Sequence, residues 1–284
     1  MKRLTRILFV MGLAMGLSTL TVSAQISTPA PSPGSKIEQA VGLSTISIDY
    51  SRPGKKGREI FGDLVPYDKI WRTGANASTK ITFSDDATVN GNKVPAGTYA
   101  IYTKPGKDKW TIMLYKDLRL GGNVGGYKAE NELARFDVEP TTLPFSVESF
   151  TIMTGNLTSD AADVSMMWDN VMVSMNVKVE VDKRVMANIE RVMAGPAGGD
   201  YYQAALYYYN TDRDMDQAIE WINKAIDSRE TPPFWMVTWK ARMLGKKGDK
   251  MAAVAASKKA MELAKEAGNA DYVKINEDLL AGWQ

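Results

Sequence analysis

The hydrophobic period of this chain changes once, near Val181, from two to about 3.6, and that change limits the fold more than any other feature. Before it, apolar residues alternate. Val171, Val173, Met175, Val177, Val179 and Val181 share one face, while Met172, Ser174, Asn176, Lys178 and Glu180 take the other. A strand with one buried side produces this pattern. Shorter alternations at Ile46-Ile48-Tyr50, Ile81-Phe83, Tyr99-Ile101, Trp110-Ile112-Leu114, Phe150-Ile152 and Val164-Met166-Trp168 predict further strands. Asn90-Gly91-Asn92 tolerates the positive φ of a tight hairpin, and Pro105-Gly106 suits a turn before Trp110. No long helical pattern intervenes, so the strands are expected to pair antiparallel, in a β-sandwich or partly open barrel.

After Val181 the apolar residues recur at helical spacing. Asp182 is placed to cap a helix with Val185, Met186, Ile189 and Val192 on its apolar side, closed by Gly195-Pro196. Asp200 starts a Tyr-rich helix, and Ala218, Ile222 and Ala225 mark the inner face of the next. A second pair is expected around Trp235–Leu244 and Met251–Leu263, with a closing helix over 271–281. Ala218 and Ala225 recur as Ala253 and Ala260, a shift of 35 residues, close to the roughly 34-residue tetratricopeptide period. The fold class is therefore α+β in two domains: an antiparallel β-domain over 36–181, then a tetratricopeptide-like array of helical hairpins over 182–284. About two repeats fall short of the roughly three that stand alone, so the helices are expected to pack on the β-domain.

The first 24 residues read as a processing signal. Lys2, Arg3 and Arg6 precede Ile7–Leu17, an apolar run of 11 residues, too short for the roughly 20 needed to span a bilayer. Val22-Ser23-Ala24 then offers a small-x-small cleavage site. Residues 25–35, with three Pro and no charge, read as a linker. A periplasmic or secreted protein without a membrane span is expected. Losing residues 1–24 takes the net charge from +2 to −1, too balanced for a dedicated nucleic-acid binder.

Two residue types are missing altogether. Without Cys or His there is no disulfide, thiolate metal site, Cys nucleophile, Ser-His-Asp triad or imidazole ligand. No S-x-x-K or G-x-S-x-G occurs either. No catalytic residue, metal ligand or cofactor is assigned.

The segments SIDYSRPGKKGREIFGDLVPYDKIWRTGANASTKITF (47–83) and VPAGTYAIYTKPGKDKWTIML (94–114), with the late strands up to Val181, resemble one family closely. It is the domain-of-unknown-function twenty-nine-eleven family, found in exported proteins of Bacteroidetes and relatives. The resemblance covers about residues 33–181, and Trp71-Arg72-Thr73-Gly74-Ala75-Asn76 is its most specific run. It implies a β-fold, an envelope location and short helical repeats after the domain, but no catalytic residues.

The residues with the most recognition chemistry are Arg52, Arg58, Trp71, Arg72, Asn76 and Lys80, with Tyr50 and Tyr67 nearby. Arginine offers a planar fork to carboxylates, phosphates or sulfates, and Trp and Tyr offer flat faces to sugar rings. No acidic residue lies between Arg72 and Lys80. A purely structural role would have Arg52 and Arg58 pair with Asp49, Glu59 or Asp63, and Trp71 and Asn76 fix a loop. If Arg72 and Asn76 form a recessed site walled by Trp71, Gly74 must supply the turn that brings them to one rim.

Three other motifs are weaker. Gly121-Gly122-Asn123-Val124-Gly125-Gly126 lacks the Lys and Ser or Thr of a phosphate loop, and is expected to be a loop at a sheet end. Asp212, Asp214 and Asp216 mimic a calcium loop, but Gln217 and Asn223 stand where Gly and Glu belong, so they read as helix N-terminal acids. Met153, Met166, Met167, Met172 and Met175 read as core filler. Two functions follow. One is a non-enzymatic envelope protein that binds a small or glycan-like ligand through its β-domain and a protein partner through its helices. The other is a glycan hydrolase, which needs two carboxylates facing each other about 5–10 Å apart.

Overall fold

A computed structural model of the chain describes residues 28–283; the expected signal peptide and its cleavage site lie outside them. The chain divides into two compact units, one up to Val179 and the other from Glu180.

The first unit is a sandwich of two antiparallel sheets. Its strands are β1 (Gly34–Val41), β2 (Ser44–Ser51), β3 (Thr79–Phe83), β4 (Ala87–Val89), β5 (Asn92–Val94), β6 (Gly97–Lys104), β7 (Trp110–Tyr115), β8 (Glu132–Val138), β9 (Thr141–Gly155) and β10 (Ala161–Val179). The larger sheet has the order β1-β2-β3-β6-β7-β8, the smaller β5-β4-β10-β9, and neither closes into a barrel. The alternation works as expected. Ile46, Ile48, Ile81, Ile101, Ile112 and Leu114 are buried on the inner face of the large sheet, opposite Ile152, Val164 and Met175 of the small one. The expected hairpin at Asn90-Gly91 joins β4 to β5, with φ of 43° and 82°, both left-handed as a primed turn needs.

β8 is not expected from the sequence, β9 starts earlier than expected, and β1 and β10 depart in ways that matter for the site. β1 begins at Gly34, inside the stretch read as linker, and pairs along its whole length with β2. Its alternating side chains are mostly polar, because it is an edge strand with little to bury. β10 is longer than expected. It joins Val164-Met166-Trp168 and Val173-Met175-Val177 in one strand of 19 residues. The register with β9 shifts on both sides of Asp169, whose φ is 52°, with the surplus residues on β9, and past this point the buried face of β10 changes from even to odd positions. The strand stops at Val179, so Val181 precedes the first helix instead of ending a strand face.

Six helices follow among the described residues: α1 (Asp182–Val192), α2 (Gly198–Asn210), α3 (Met215–Asp227), α4 (Phe234–Lys247), α5 (Lys250–Glu266) and α6 (Ala270–Trp283). Ala218, Ala225, Ala253 and Ala260 are all fully buried, so small side chains let α3 and α5 approach their neighbours closely. Asn276 of α6 is also fully buried. Its amide donates to Thr238 Oγ1 and Tyr272 O (2.9 and 2.8 Å) and its carbonyl accepts from Ser257 Oγ at 2.9 Å, tying α4, α5 and α6 together. The three acids that mimic a calcium loop are engaged as helix-end groups. Asp214 accepts from the backbone of Asp216 and Gln217, while Asp212 and Asp216 pair with Lys246 and Lys247. Among the described residues, no helix is long and apolar enough to cross a membrane.

Candidate functional site

The long connection from β2 to β3 ends in the run Trp71–Ser78, which is anchored at one end and strained in the middle. Trp71 makes an isolated bridge with Thr103, exchanging N–H···O bonds of 2.7 and 2.9 Å. Its indole enters the sandwich, stacked on Trp168 at 5.9 Å and edge-on to Phe150 at 5.3 Å, and Nε1 donates to Gly74 O at 3.1 Å. Thr73 and Asn76 both have φ of 57°, in the left-handed region. Such strain costs on the order of 1–3 kcal/mol per residue and persists only where surrounding contacts over-determine it. Here the Thr73 hydroxyl donates to Thr103 Oγ1, and Thr79 Oγ1 donates to the Thr73 carbonyl. Gly74, at φ 136°, has no alternative: a Cβ there would stand 3.1 Å from Ser51 O and 3.3 Å from Thr79 Oγ1.

The six predicted residues fall into different places. Arg72 is half-buried; its guanidinium lies beneath Gly122, where a Cβ would come within 3.4 Å of Nη1. Its Nε is buried and has no hydrogen-bond partner, and among the described residues no carboxylate lies within 4.0 Å of it. Arg52 staples the two sheets, donating to Phe150 O at 3.1 Å and Thr151 Oγ1 at 2.7 Å. Arg58 is exposed and donates to the carbonyls of Lys55 and Gly54 at 3.0 and 2.6 Å. Neither pairs with Asp49, Glu59 or Asp63; carbonyls left over by the irregular backbone of residues 53–58 and by the end of β9 take their donors instead. Asn76 donates through Nδ2 to Ser32 O at 3.1 Å and Ser51 Oγ at 3.2 Å. Lys80 stands on β3 between Asp49 and Ala100, in no ion pair within 4.0 Å among the described residues. The Tyr50 hydroxyl is engaged with the backbone of Ile152, and Tyr67 lies under Lys107.

Two concavities flank this run. A cavity of about 250 Å³ is lined by Ser32, Arg58, Leu64, Trp71, Arg72 and Trp168 among others, and no carboxylate contributes to its wall. Trp71, Arg72 and Gly74 all contribute to the wall of this cavity. On the other side, a groove of about 420 Å³ crosses the outer face of the large sheet, with Lys36, Asp49, Tyr50, Ser51, Ser78 and Lys80 in its lining. Asn76 bonds to the rim of both, and Arg52 lines neither. Ser78 Oγ, although near the Tyr102 hydroxyl, meets no partner in hydrogen-bonding geometry. Lys36, Ser51, Ser78 and Trp168 escaped the sequence reading. Only strand register puts Lys36 opposite Asp49 and Asp49 opposite Lys80.

The glycine-rich segment is not at a sheet end. Leu118, Leu120, Val124 and Tyr127 fold it back over Ala100, Tyr102, Met113 and Tyr115 on the outer face of the large sheet. Apolar residues between the glycines give the loop an underside to bury. Tyr102 donates to Gly121 O at 2.7 Å, and burial raises its pKa above the ordinary tyrosine value. Among the described residues, no group of three or more acidic side chains is gathered to hold a metal ion.

A family model described as Protein of unknown function (DUF2911) matches residues 32–177, just over half of the chain. No curated protein and no solved structure matches with significance. The matched span runs from the rim residue Ser32 to the last turns of β10 and takes in both concavities and the strained run between them. The chain belongs to the DUF2911 family of proteins of unknown function.

Proposed function

We propose that this is an exported, non-enzymatic binding protein whose β-sandwich takes an anionic ligand in the cavity beside Trp71–Ser78. Export rests on the charged start, short apolar run and Val22-Ser23-Ala24 of the sequence. The observation that carries the binding role is Arg72. A half-buried guanidinium with an unpartnered Nε, at a cavity wall holding Arg58 and no acid, is electrostatically incomplete. An anion entering the cavity is held by the charge of this guanidinium and of Arg58, and charge-assisted bonds of that kind contribute about 1.5–3 kcal/mol. Trp71, Trp168 and Leu64 provide an apolar wall against which the rest of a small ligand rests. A hydrolase of the two-carboxylate type has no support here, because the cavity wall has no carboxylate and the groove has Asp49 alone. The helical unit takes the protein partner in this reading, on the strength of its tetratricopeptide-like recurrence at 35 residues.

A thermal-shift panel on the chain from Gln25 tests the site, with phosphate, sulfate, acetate and galacturonate as probes. A ligand present at 100 times its Kd adds about 2.7 kcal/mol of stability. At least one anion should raise Tm in the parent and not in Arg72→Met. Equal responses in both proteins would remove Arg72 from the reading.

A further inference from the structure

The two concavities are lined by neighbouring residues of the same three stretches, 32–36, 49–53 and 71–80. Ser32 lines the cavity and Gly34 and Ser35 line the groove, so three residues of one short stretch form the rim between them. Asn76 pins that rim from below through Ser32 O and also holds Ser51 in the groove. Each concavity also has one lining residue with a buried polar atom that lacks a partner, Arg72 through Nε for the first and Ser78 through Oγ for the second. Ser78 is only 4% exposed. Native proteins leave few such atoms unsatisfied, and here both lie within one eight-residue run whose backbone is itself strained. The groove has its own cation. Lys36 pairs with Glu38 at 3.9 Å, whereas Lys80, which like Lys36 stands opposite Asp49 in the register, is in no ion pair within 4.0 Å among the described residues.

We propose that the cavity and the groove are two subsites for one extended ligand, a short acidic oligosaccharide with one anionic group at Arg72 and another at Lys80. This rests on the reading that the Arg72 cavity binds an anion. Ser32, Ser35, Ser51 and Ser78 line the path with hydroxyl-bearing residues to match those of sugar rings, and Leu64, 42% exposed, gives its cavity end apolar surface. A peptide is a poorer fit. The groove lies across the face of β1, β2 and β3 and not along the free edge of β1, so a peptide in it gains no main-chain ladder.

The test is isothermal titration of the chain from Gln25 with galacturonic acid and its dimer, trimer and tetramer, using a poly-glutamate peptide as control. Arg72→Met and Lys80→Met are compared with the parent after their unfolding midpoints show that both fold. The monomer should bind weakly, need Arg72 and ignore Lys80. The trimer or tetramer should bind at least ~10-fold tighter than the monomer, the gain expected of one further charge-assisted contact, and Lys80→Met should abolish the gain. If the monomer binds but length adds nothing, or if Lys80→Met keeps the gain, the second subsite is refuted and the Arg72 cavity survives. If neither monomer nor oligomer binds, the cavity reading itself fails. Poly-glutamate binding as tightly as the tetramer would overturn the saccharide class.

Discussion

Arg72 and Asn276 are both polar side chains drawn into their units, and the two units treat them in opposite ways. Asn276 is fully buried, and its amide uses both donors and its carbonyl. Arg72 Nε is equally cut off from water and is matched with nothing. A satisfied buried amide fixes how three helices meet, because any other packing would strand its partners. An unmatched guanidinium lowers stability, and the surrounding structure must offset it. The helical unit therefore uses buried polarity to define its packing, while the β unit leaves a buried donor unmatched.

The contrast requires that packing, not polar bonding, holds the Trp71–Ser78 run in place. Trp71→Ala should then have the largest effect, about 3–5 kcal/mol of stability, because its indole touches Phe61, Trp110, Phe150 and Trp168 at once. Denaturant titration measures it. A loss under ~1 kcal/mol would mean that the run is held by something other than the aromatic core.

Next in size is Asn276→Leu. It leaves the Ser257 and Thr238 hydroxyls without their best partner inside the helical unit, at roughly 2–3 kcal/mol. The same leucine on the Arg72 side of the comparison would have no bonds to break. If Asn276→Leu proves neutral, the amide does not specify the packing and the contrast between the units disappears.

How far the sequence discloses these two centres differs for a physical reason. The two-domain order, the sandwich and the Asn90-Gly91 hairpin follow from local periods and turn residues, and the run Trp71–Asn76 stands out by residue type. The second concavity is invisible locally. Lys36, Asp49 and Lys80 come together through the register of three strands, and one of these, β1, has too little apolar alternation to announce itself. The register shift at Asp169 also hides, since it is a property of the pairing of β10 with β9. Arginine partners are equally unreadable. Arg52 and Arg58 turn to backbone carbonyls that only the folded chain positions. Nothing in the order of residues says that Asn276 would be the buried one of α6.

Arg72→Met should sharpen the comparison at smaller cost. The methionine keeps the apolar stem under Gly122 and removes an unmatched donor, so stability should stay within ~0.5 kcal/mol of the parent or rise. Anion binding should weaken by ~10-fold or more. A loss of about 3–5 kcal/mol in a denaturation curve would instead be the signature of a stranded buried partner, and would make Arg72 a structural residue like Asn276.

The smallest effect separates paired from unpaired charge within the β unit. Asp169, at the register shift between β10 and β9, has its carboxyl pushed up by burial, but hydrogen bonds from Lys55 Nζ at 2.6 Å and Ser146 Oγ at 2.8 Å outweigh this and hold it below the ordinary Asp value. A carboxyl whose folded pKa lies below its unfolded one, near 3.9, contributes stability that is fully present above that value. The contribution disappears as pH falls through the folded value. Lys55 and Asp169 are 25% and 21% exposed, so solvent screens the pair and the contribution should stay below ~1 kcal/mol. Between about pH 5 and pH 3, Lys55→Met should therefore lose stability less steeply than the parent. Arg72 has no carboxylate to lose, so Arg72→Met should follow the parent slope throughout. Denaturation at a series of pH values reads both. An acid slope flattened by Arg72→Met would mean that a carboxylate does pair with Arg72 in the folded protein, and its guanidinium would already be occupied.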